Sequence, residues 1–206
     1  MNQQQIPAQA LHQSEIEVKH SRFITHIGHT PNLESAKAFL DGIRQEHNKA
    51  NHNCWAQIAG PRSDLNCWGS SDDGEPKGTA GKPMLNVLSH TELCEISIVV
   101  TRYFGGIKLG AGGIVRAYSL AVQEALKTLP TLEKVDKFRF TLTLPHALVG
   151  SIETLLMKCQ AEVLSRNWNE ELLLTGQASD QQLAELRQQL IPYQHQIHYQ
   201  DKEMRW

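Results

Sequence analysis

The feature that most constrains this chain is a glycine-rich segment between a buried strand and a long amphipathic helix. Residues 96–101 are almost all β-branched, which is typical of a central strand. Residues 105–113 contain five glycines, and apolar residues then recur at helical spacing from Ile114 to Leu129, just before Pro130. The chain must therefore turn sharply from strand to helix, and backbone N–H groups converge at the positive end of that helix.

A strand, a glycine loop and a helix N-terminus in this order favour the binding of an anion, and phosphate is the natural ligand. The predicted phosphate-binding residues are Lys82, Arg102, Gly105, Gly106, Lys108, Gly110, Gly112, Gly113 and Arg116. The four basic residues lie within residues 77–116. This segment contains five basic residues and only two acidic ones, although the whole chain has a net charge of −2. Any attraction for nucleic acid must come from this local patch. The alternative is that the glycines only permit a tight, closely packed turn.

Two better-known phosphate motifs do not fit this sequence. Residues 110–115 lack the third glycine or alanine of the dinucleotide fingerprint. Residues 78–83 contain Gly-Lys, but the earlier glycine is wrongly spaced and Pro83 stands where a P-loop needs Ser or Thr. We therefore expect no bound cofactor and no nucleotide hydrolysis.

An acidic cluster forms a second candidate site. Asp72, Asp73 and Glu75 can hold a divalent cation or divide the roles of acid and base, but the same residues are ordinary turn formers. His52, Cys54 and Cys67 are metal-ligand types without the paired spacing of a zinc site. On an alternating strand His52 and Cys54 share one face and can both point into a core. We expect no metal.

The order of helices and strands predicts an α+β protein of two domains, which a length of 206 residues accommodates. The predicted parts are a polar tail of residues 1–14, a first domain of residues 15–130, a linker of residues 131–137 and a second domain of residues 138–206. In the first domain we predict strands at 15–18, 23–27, 53–58 and 96–101, helices at 33–47 and from Pro83, and mostly loop at 60–81. In the second domain we predict strands at 138–144, 163–168, 172–175 and through 197–199. Helices at 148–159 and after the capping box Ser179–Gln182 complete the ferredoxin-like pattern βαββαβ.

The cellular compartment is also suggested by the sequence. The four cysteines include no CxxC pair, and the polar start has no signal-peptide pattern, so reduced thiols in the cytosol are expected. No apolar run approaches the roughly 20 residues that a membrane span needs.

Several separated strings, in order, resemble the Impact family in its bacterial branch. They are KHSRF at 19–23, HNCWA at 52–56, DDGEPKGTAGKP at 72–83, VTRYFGGIKLG at 100–110 and RAY at 116–118. The resemblance covers about residues 15–130, and many motifs in one order are far more specific than any single motif. Residues from 138 onward resemble the accessory domain of the bacterial members by pattern.

This resemblance implies a fold and a cellular context. The N-terminal domain is expected to be like the fourth domain of elongation factor G, and the C-terminal domain like the ferredoxin-like last domain of that factor. Eukaryotic relatives regulate translation during amino-acid starvation, largely through an additional N-terminal domain, so their regulatory partner is not transferred to this chain. The resemblance implies no set of catalytic residues.

The motifs and the family resemblance are compatible with three functions. The leading hypothesis is a non-enzymatic RNA- or ribosome-binding protein linked to the regulation of translation, with translation-related proteins as further partners. The second is a hydrolase-type enzyme that uses Asp72, Asp73, Glu75 and His52. The third is a protein-interaction regulator without nucleic-acid contact.

Overall fold

The computed structural model describes residues 4–203, which divide after Lys134 into two compact units. The ends of the predicted tail and of the predicted second domain, residues 1–3 and 204–206, lie outside the described residues. Among the described helices, none has the length and apolar content that a bilayer crossing requires. The α+β class is confirmed.

The N-terminal unit contains seven strands and three helices among its described residues. In chain order these are β1 (Gln5–Pro7), β2 (His12–Val18), β3 (Ser21–His29), α1 (Leu33–Glu46), β4 (His52–Ile58), β5 (Trp68–Ser71), α2 (Gly81–Ser89), β6 (Ile96–Tyr103), α3 (Ala111–Thr128) and β7 (Thr131–Glu133). Strands β2 to β6 form one antiparallel sheet in the order β2-β3-β6-β4-β5. Strand β6 is central, as its β-branched sequence predicts.

Helices cover both faces of this sheet. Phe23 of β3 packs edge-on against Tyr118 of α3, with their ring centroids 5.2 Å apart, and belongs to the main core with residues of α2. On the opposite face, a Cβ atom on Gly28 would lie 2.7 Å from the ring of Phe39 in α1. Because side chains alternate along a strand, Phe23 and Gly28 face opposite layers. The sheet therefore lies between α1 and the pair α2 and α3.

The helix starts differ in how their free N–H groups are satisfied. Asn32 caps α1, and its side chain accepts a hydrogen bond from the backbone N–H of Ser35 at 2.8 Å. Thr30, two residues before Asn32, instead bonds to Ser97 within the fold. Helix α3 starts at Gly110 with no side-chain cap among the described residues. This difference makes the start of α3 available to a ligand.

Two expectations about the tail and the linker need correction. Part of the predicted polar tail is structured, since β1 pairs with β7 and β2 begins at His12. The backbone of Gln5 also bonds to Glu92 and Cys94, which no local sequence pattern indicates. The predicted linker 131–137 begins with β7 and ends at the first residue of the next strand. Residues 60–81 are mostly loop, as predicted, and also contain a 3₁₀ turn, Leu65–Cys67, and the edge strand β5.

The C-terminal unit has the predicted βαββαβ order. Its elements are β8 (Lys137–Leu144), α4 (Val149–Lys158), β9 (Glu162–Trp168), β10 (Leu172–Ser179), α5 (Asp180–Leu190) and β11 (His198–Gln200). The antiparallel strand order β11-β8-β10-β9 is that of a ferredoxin-like sheet. Strand β10 is longer than the predicted 172–175, and Ser179 and Gln182 form the predicted capping box. Phe140 is fully buried and Phe138 packs on the core, so neither offers a stacking platform on the open face of the sheet.

Candidate functional site

The glycines of the loop between β6 and α3 have different structural roles. A Cβ atom on Gly105 would lie 2.0 Å from the backbone of His20, so this glycine is needed for close packing against the β2–β3 turn. Gly110 has a φ of +71° at the start of α3, with open space around its Cα. The purely structural interpretation therefore holds for Gly105, while Gly110 turns the chain beside an open surface.

The start of α3 is open to an anion. The first N–H groups of any α-helix lack intrahelical partners, and here they belong to Ala111, Gly112 and Gly113. The first turn contains no acidic residue, and no side chain in residues 4–203 caps it. Two of the three positions are glycines, so an anion can approach their backbone closely. This helix end has the geometry of an anion site.

At the start of α2, in contrast, an acidic side chain satisfies the free backbone N–H groups. Asp72 accepts hydrogen bonds from the backbone N–H groups of Gly78, Ala80 and Gly81, at 2.6 to 3.0 Å. Burial raises the pKa of Asp72, but these three hydrogen bonds and the nearby Lys82 together outweigh burial and lower it. Asp72 is therefore a charged cap on α2.

A buried ion pair lies behind the glycine loop. Glu75 is 7% exposed and Arg102 is 6% exposed. The Oε1 atom of Glu75 lies 2.7 Å from Nη1 of Arg102. The hydroxyl of Tyr118 donates to the same Oε1 at 2.9 Å. The Nε atom of Arg102 is buried and has no hydrogen-bond partner within residues 4–203. Arg102 is thus mainly a partner of Glu75, with one donor left unsatisfied.

Cys54 and Tyr118 extend this buried network. The Cys54 thiol donates to the Tyr118 hydroxyl at 3.2 Å, or to the backbone oxygen of Asp72 at 2.9 Å. Burial is the main reason why the pKa of Cys54 is raised to about 12. Burial also raises the pKa of Tyr118 far above its ordinary value, and Cys54 and Glu75 add to this effect. Both groups stay protonated at neutral pH, so Cys54 is not an activated nucleophile.

His52 and Asp73 lie beside this network and are held by other contacts. His52 faces the same side of the sheet as Arg102, its register partner on β6. Its Nδ1 donates to the backbone oxygen of Asp73 at 2.9 Å, because a carbonyl can only accept. Its Nε2 is 3.9 Å from Oε2 of Glu75, which is too long for a hydrogen bond. The Asp73 carboxylate pairs with Arg44 at 2.8 Å and accepts from the N–H of Asn53 at 2.7 Å.

A pocket of about 350 Å³ joins the loop, the helix start and the buried pair. Its lining includes Asn51, His52, Arg102, Phe104, Lys108, Gly110 and Ala111. Lys108 is exposed, whereas Arg102 is buried at the edge of the core. The pocket therefore combines a helix N-terminus, one exposed cation and one exposed aromatic ring.

Comparison with known proteins identifies the family. The profile of the Impact N-terminal domain matches residues 19–126, more than half of the chain. An IMPACT family member from Haemophilus influenzae is 49% identical over 160 residues, which is 78% of each chain. This chain belongs to the Impact family.

Further similarities cover more of the chain. The IMPACT family member YigZ of Escherichia coli is 42% identical over 177 residues, 86% of this chain and 87% of that protein. A crystal structure described as that of a hypothetical protein is 40% identical, with a TM-score of 0.75 and coverage of 95% of this chain and 94% of the other. The resemblance noted in the sequence is thus confirmed, and in this Impact protein it extends across both units.

The predicted basic residues do not form one cluster. Lys108 and Arg102 line the pocket at the α3 start, while Arg116 lines a separate pocket with Lys19 and Gly113. Leu109 borders both pockets, so they are neighbours. Lys82 is exposed at the start of α2, near Asp72.

The acidic residues are likewise held by different partners. Asp72, Asp73 and Glu75 each have their own structural partner, as described above. Among the described residues, no group of three or more His, Cys, Asp or Glu side chains is placed to hold a metal ion. The three carboxylates, predicted as a possible shared site, are not brought together around one ion.

Sequence reasoning missed three residues of the pocket and its surroundings. The helical spacing of apolar residues places Tyr118 on the core face of α3 and says nothing of its hydroxyl, although the need of a buried tyrosine hydroxyl for a partner is a signal that the sequence does carry. Asn51 accepts a hydrogen bond from the N–H of Phe104 at 2.8 Å and holds the loop in place. Phe104 is 46% exposed, and no sequence pattern distinguishes it from a core residue.

Proposed function

We propose that this Impact protein binds RNA, free or within the ribosome, through phosphate groups held at the start of α3. The observation that carries the proposal is the uncapped N-terminus of this 18-residue helix, which opens onto a pocket beside exposed Lys108. Backbone N–H groups and the helix dipole attract an anion there, and Lys108 adds a full positive charge. Arg116 lines the neighbouring pocket and Lys82 is exposed at the start of α2, and both are proposed to contact further phosphates.

Binding is favoured over hydrolysis by the state of the acidic residues. The hydrolase alternative needs a carboxylate of the acidic cluster, or the nearby thiol, that is free to act on a substrate as acid, base or nucleophile. Here Asp72 caps α2, Asp73 is paired with Arg44, and Glu75 is paired with Arg102. The high pKa of Cys54 argues against a thiol nucleophile as well. These contacts support a binding protein.

The proposed link to translation rests on family resemblance and not on a contact. The Impact resemblance implies kinship with a domain of elongation factor G, a factor that works on the ribosome. Fold kinship alone does not transfer a function. The phosphate-binding geometry supplies an independent reason to test ribosomal RNA as the ligand.

Ribosome binding is tested by co-sedimentation of the purified protein with ribosomal subunits at two salt concentrations. We expect binding at low salt and much weaker binding at high salt, because phosphate contacts release counterions. Lys108→Ala should reduce co-sedimentation, whereas Lys37→Ala, which removes an exposed lysine from α1 on the opposite face of the sheet, should not. Absence of binding at low salt to subunits and to free RNA would refute the proposal. The protein-interaction and hydrolase alternatives would then remain.

A further inference from the structure

Phe104 is an exposed aromatic side chain at the mouth of the candidate pocket. Its side chain is 46% exposed, although a phenylalanine ring gains free energy when it leaves water. Its backbone N–H is held by Asn51, and the guanidinium carbon of Arg102 lies 5.8 Å from the ring centroid. Its backbone is therefore held in place, and its ring lies beside a guanidinium while remaining accessible.

The pocket beside Phe104 offers different chemistry along its lining. Phe104 supplies an aromatic surface, Lys108 and the amides of Gly110 and Ala111 supply an anion-binding wall, and Arg102 supplies a buried guanidinium whose charge is balanced by Glu75. The side chain of Arg102 is 7% exposed, and its Nε has no partner among the described residues. A buried guanidinium with one unsatisfied N–H donor and an exposed ring are two observations, independent of the helix end, that indicate a ligand.

The size of the pocket limits what that ligand can be. At about 350 Å³ it lies near the lower end of the roughly 300 to 1,000 Å³ range of small-molecule sites. A space of this size suits one nucleotide and is far too small for a duplex. A base that is paired and stacked inside a duplex cannot reach such a pocket.

We propose that the pocket seats one unstacked nucleotide of single-stranded RNA, with its base against Phe104 and its phosphate at Lys108 and the α3 N-terminus. This inference rests on the proposed function and specifies the form of RNA that the site accepts. Aromatic rings stack on any base, so the preference is for single strands over duplexes and not for a particular sequence.

The test compares the binding of a short labelled oligouridine and of an RNA duplex of the same length, by fluorescence anisotropy at low salt. The wild-type protein should bind the single strand more tightly. Phe104→Leu keeps an apolar side chain but removes the ring, and should weaken single-strand binding by roughly 5- to 100-fold, as expected for the loss of one stacked base. Its duplex binding should stay as it is in the wild type.

Two further variants make the result specific to the ring. Phe104→Trp should bind the single strand at least as well as the wild type, and its indole emission should be quenched by oligouridine and not by the duplex. Ile107→Ala is the matched control, because Ile107 is 44% exposed on the same loop but does not line the pocket. It should leave both affinities unchanged, and thermal melting should show that all three variants are folded.

The outcomes separate this inference from the proposed function. Equal single-strand affinities for the wild type and Phe104→Leu, or equal affinities for single strand and duplex, would overturn the inference. Binding that still depends on Lys108 would in that case leave the proposed function intact. If the wild-type protein binds neither RNA, the inference fails, and the proposed function fails with it if ribosomal subunits are not bound at low salt either.

Discussion

The buried pair of Arg102 and Glu75 shapes the candidate site more than any other contact between single residues. Moving two charges out of water carries a large desolvation penalty, which their attraction and added hydrogen bonds must offset. Glu75 receives hydrogen bonds from Arg102 and Tyr118, which anchor its loop to β6 and α3. The pair therefore ties the acidic loop, the central strand and the helix behind the pocket together.

Removing one member of the pair should destabilise the protein strongly. Glu75→Ala leaves the charge of Arg102 buried without a partner, and we expect it to lower the free energy of unfolding by about 3–5 kcal/mol. The double substitution Glu75→Gln with Arg102→Met removes both charges and keeps an acceptor for Tyr118, so it should cost less than Glu75→Ala alone. Urea denaturation of the variants measures both values. A cost below about 1 kcal/mol for Glu75→Ala would show that the pair is not structural.

Sequence patterns could predict part of this site. Strand alternation places Arg102 on the same face as Val100, which belongs to the core, so an inward orientation was within reach. Its pairing with Glu75 is not predictable from the sequence, because the two residues are 27 positions apart and only the tertiary fold brings them together. A count of charges over residues 77–116 includes Arg102 as one more exposed cation. The pairing removes that charge and leaves Lys108 as the exposed cation lining the pocket.

At the level of elements, the contact between β3 and α1 contains an unusual histidine. His26 is 1% exposed, and neither of its ring nitrogens has a hydrogen-bond partner in the described part of the chain. Its ring centroid lies 4.8 Å from that of His47, just beyond the end of α1. Burial, with a smaller effect of His47, lowers the pKa of His26 to about 4.

This histidine should make the fold sensitive to mild acid. The pKa of His26 is about 4 in the folded protein and about 6.5 in the unfolded chain, so only the unfolded state gains a proton between these values. Stability is therefore lost as the pH falls from about 6.5 towards 4. The loss between pH 7 and pH 5 should be about 2 kcal/mol smaller for His26→Phe than for the wild type. Urea denaturation at the two pH values measures it.

The control for this experiment is His195→Gln, which replaces an exposed histidine in the C-terminal unit. It should leave the pH dependence of unfolding unchanged. If His26→Phe and the wild type lose the same stability between pH 7 and pH 5, His26 is not the group responsible.

The elements themselves were largely predictable, and the exceptions share a cause. Long periodic segments such as α3 and strand β6 follow from hydrophobic spacing alone. Strand β1 cannot be predicted in this way, because its three residues are too few to show a hydrophobic period. They are held instead by hydrogen bonds to Glu92 and Cys94 and by pairing with β7. Strand β5 was hidden for a similar reason, since its four residues include Gly69 and two serines. Such short edge strands are set by the partner across the sheet and not by local propensity.

At the scale of the whole molecule, the chain is expected to contain two independently folding parts. Each unit has its own hydrophobic core, one around β6, α2 and α3 and the other around β8, α4 and α5. The division after Lys134 lies within the segment first predicted as a linker. Val135 and Asp136 are exposed and lie outside any helix or strand, which makes this stretch the expected site of proteolysis.

Fragments of the N-terminal unit test where the first domain ends. A fragment of residues 1–134 should fold, and a fragment of residues 15–130 should be less stable because it loses β1, β7 and the first residues of β2. Thermal melting followed by circular dichroism compares the two fragments with the full chain. Equal stability of both fragments would mean that the β1–β7 pair adds nothing, and failure of residues 1–134 to fold would contradict the two-domain interpretation.

The central claim is that phosphate groups of RNA bind at the start of α3, and the salt dependence of RNA affinity tests it most directly. For a single-stranded RNA, the logarithm of the association constant should fall linearly with the logarithm of salt concentration, by roughly 0.7 per phosphate contact. Lys108→Ala should lower affinity for all sequences alike and reduce this slope by about one contact, with little change in melting temperature. A slope identical to that of the wild type, or a loss of affinity explained by unfolding, would contradict the claim.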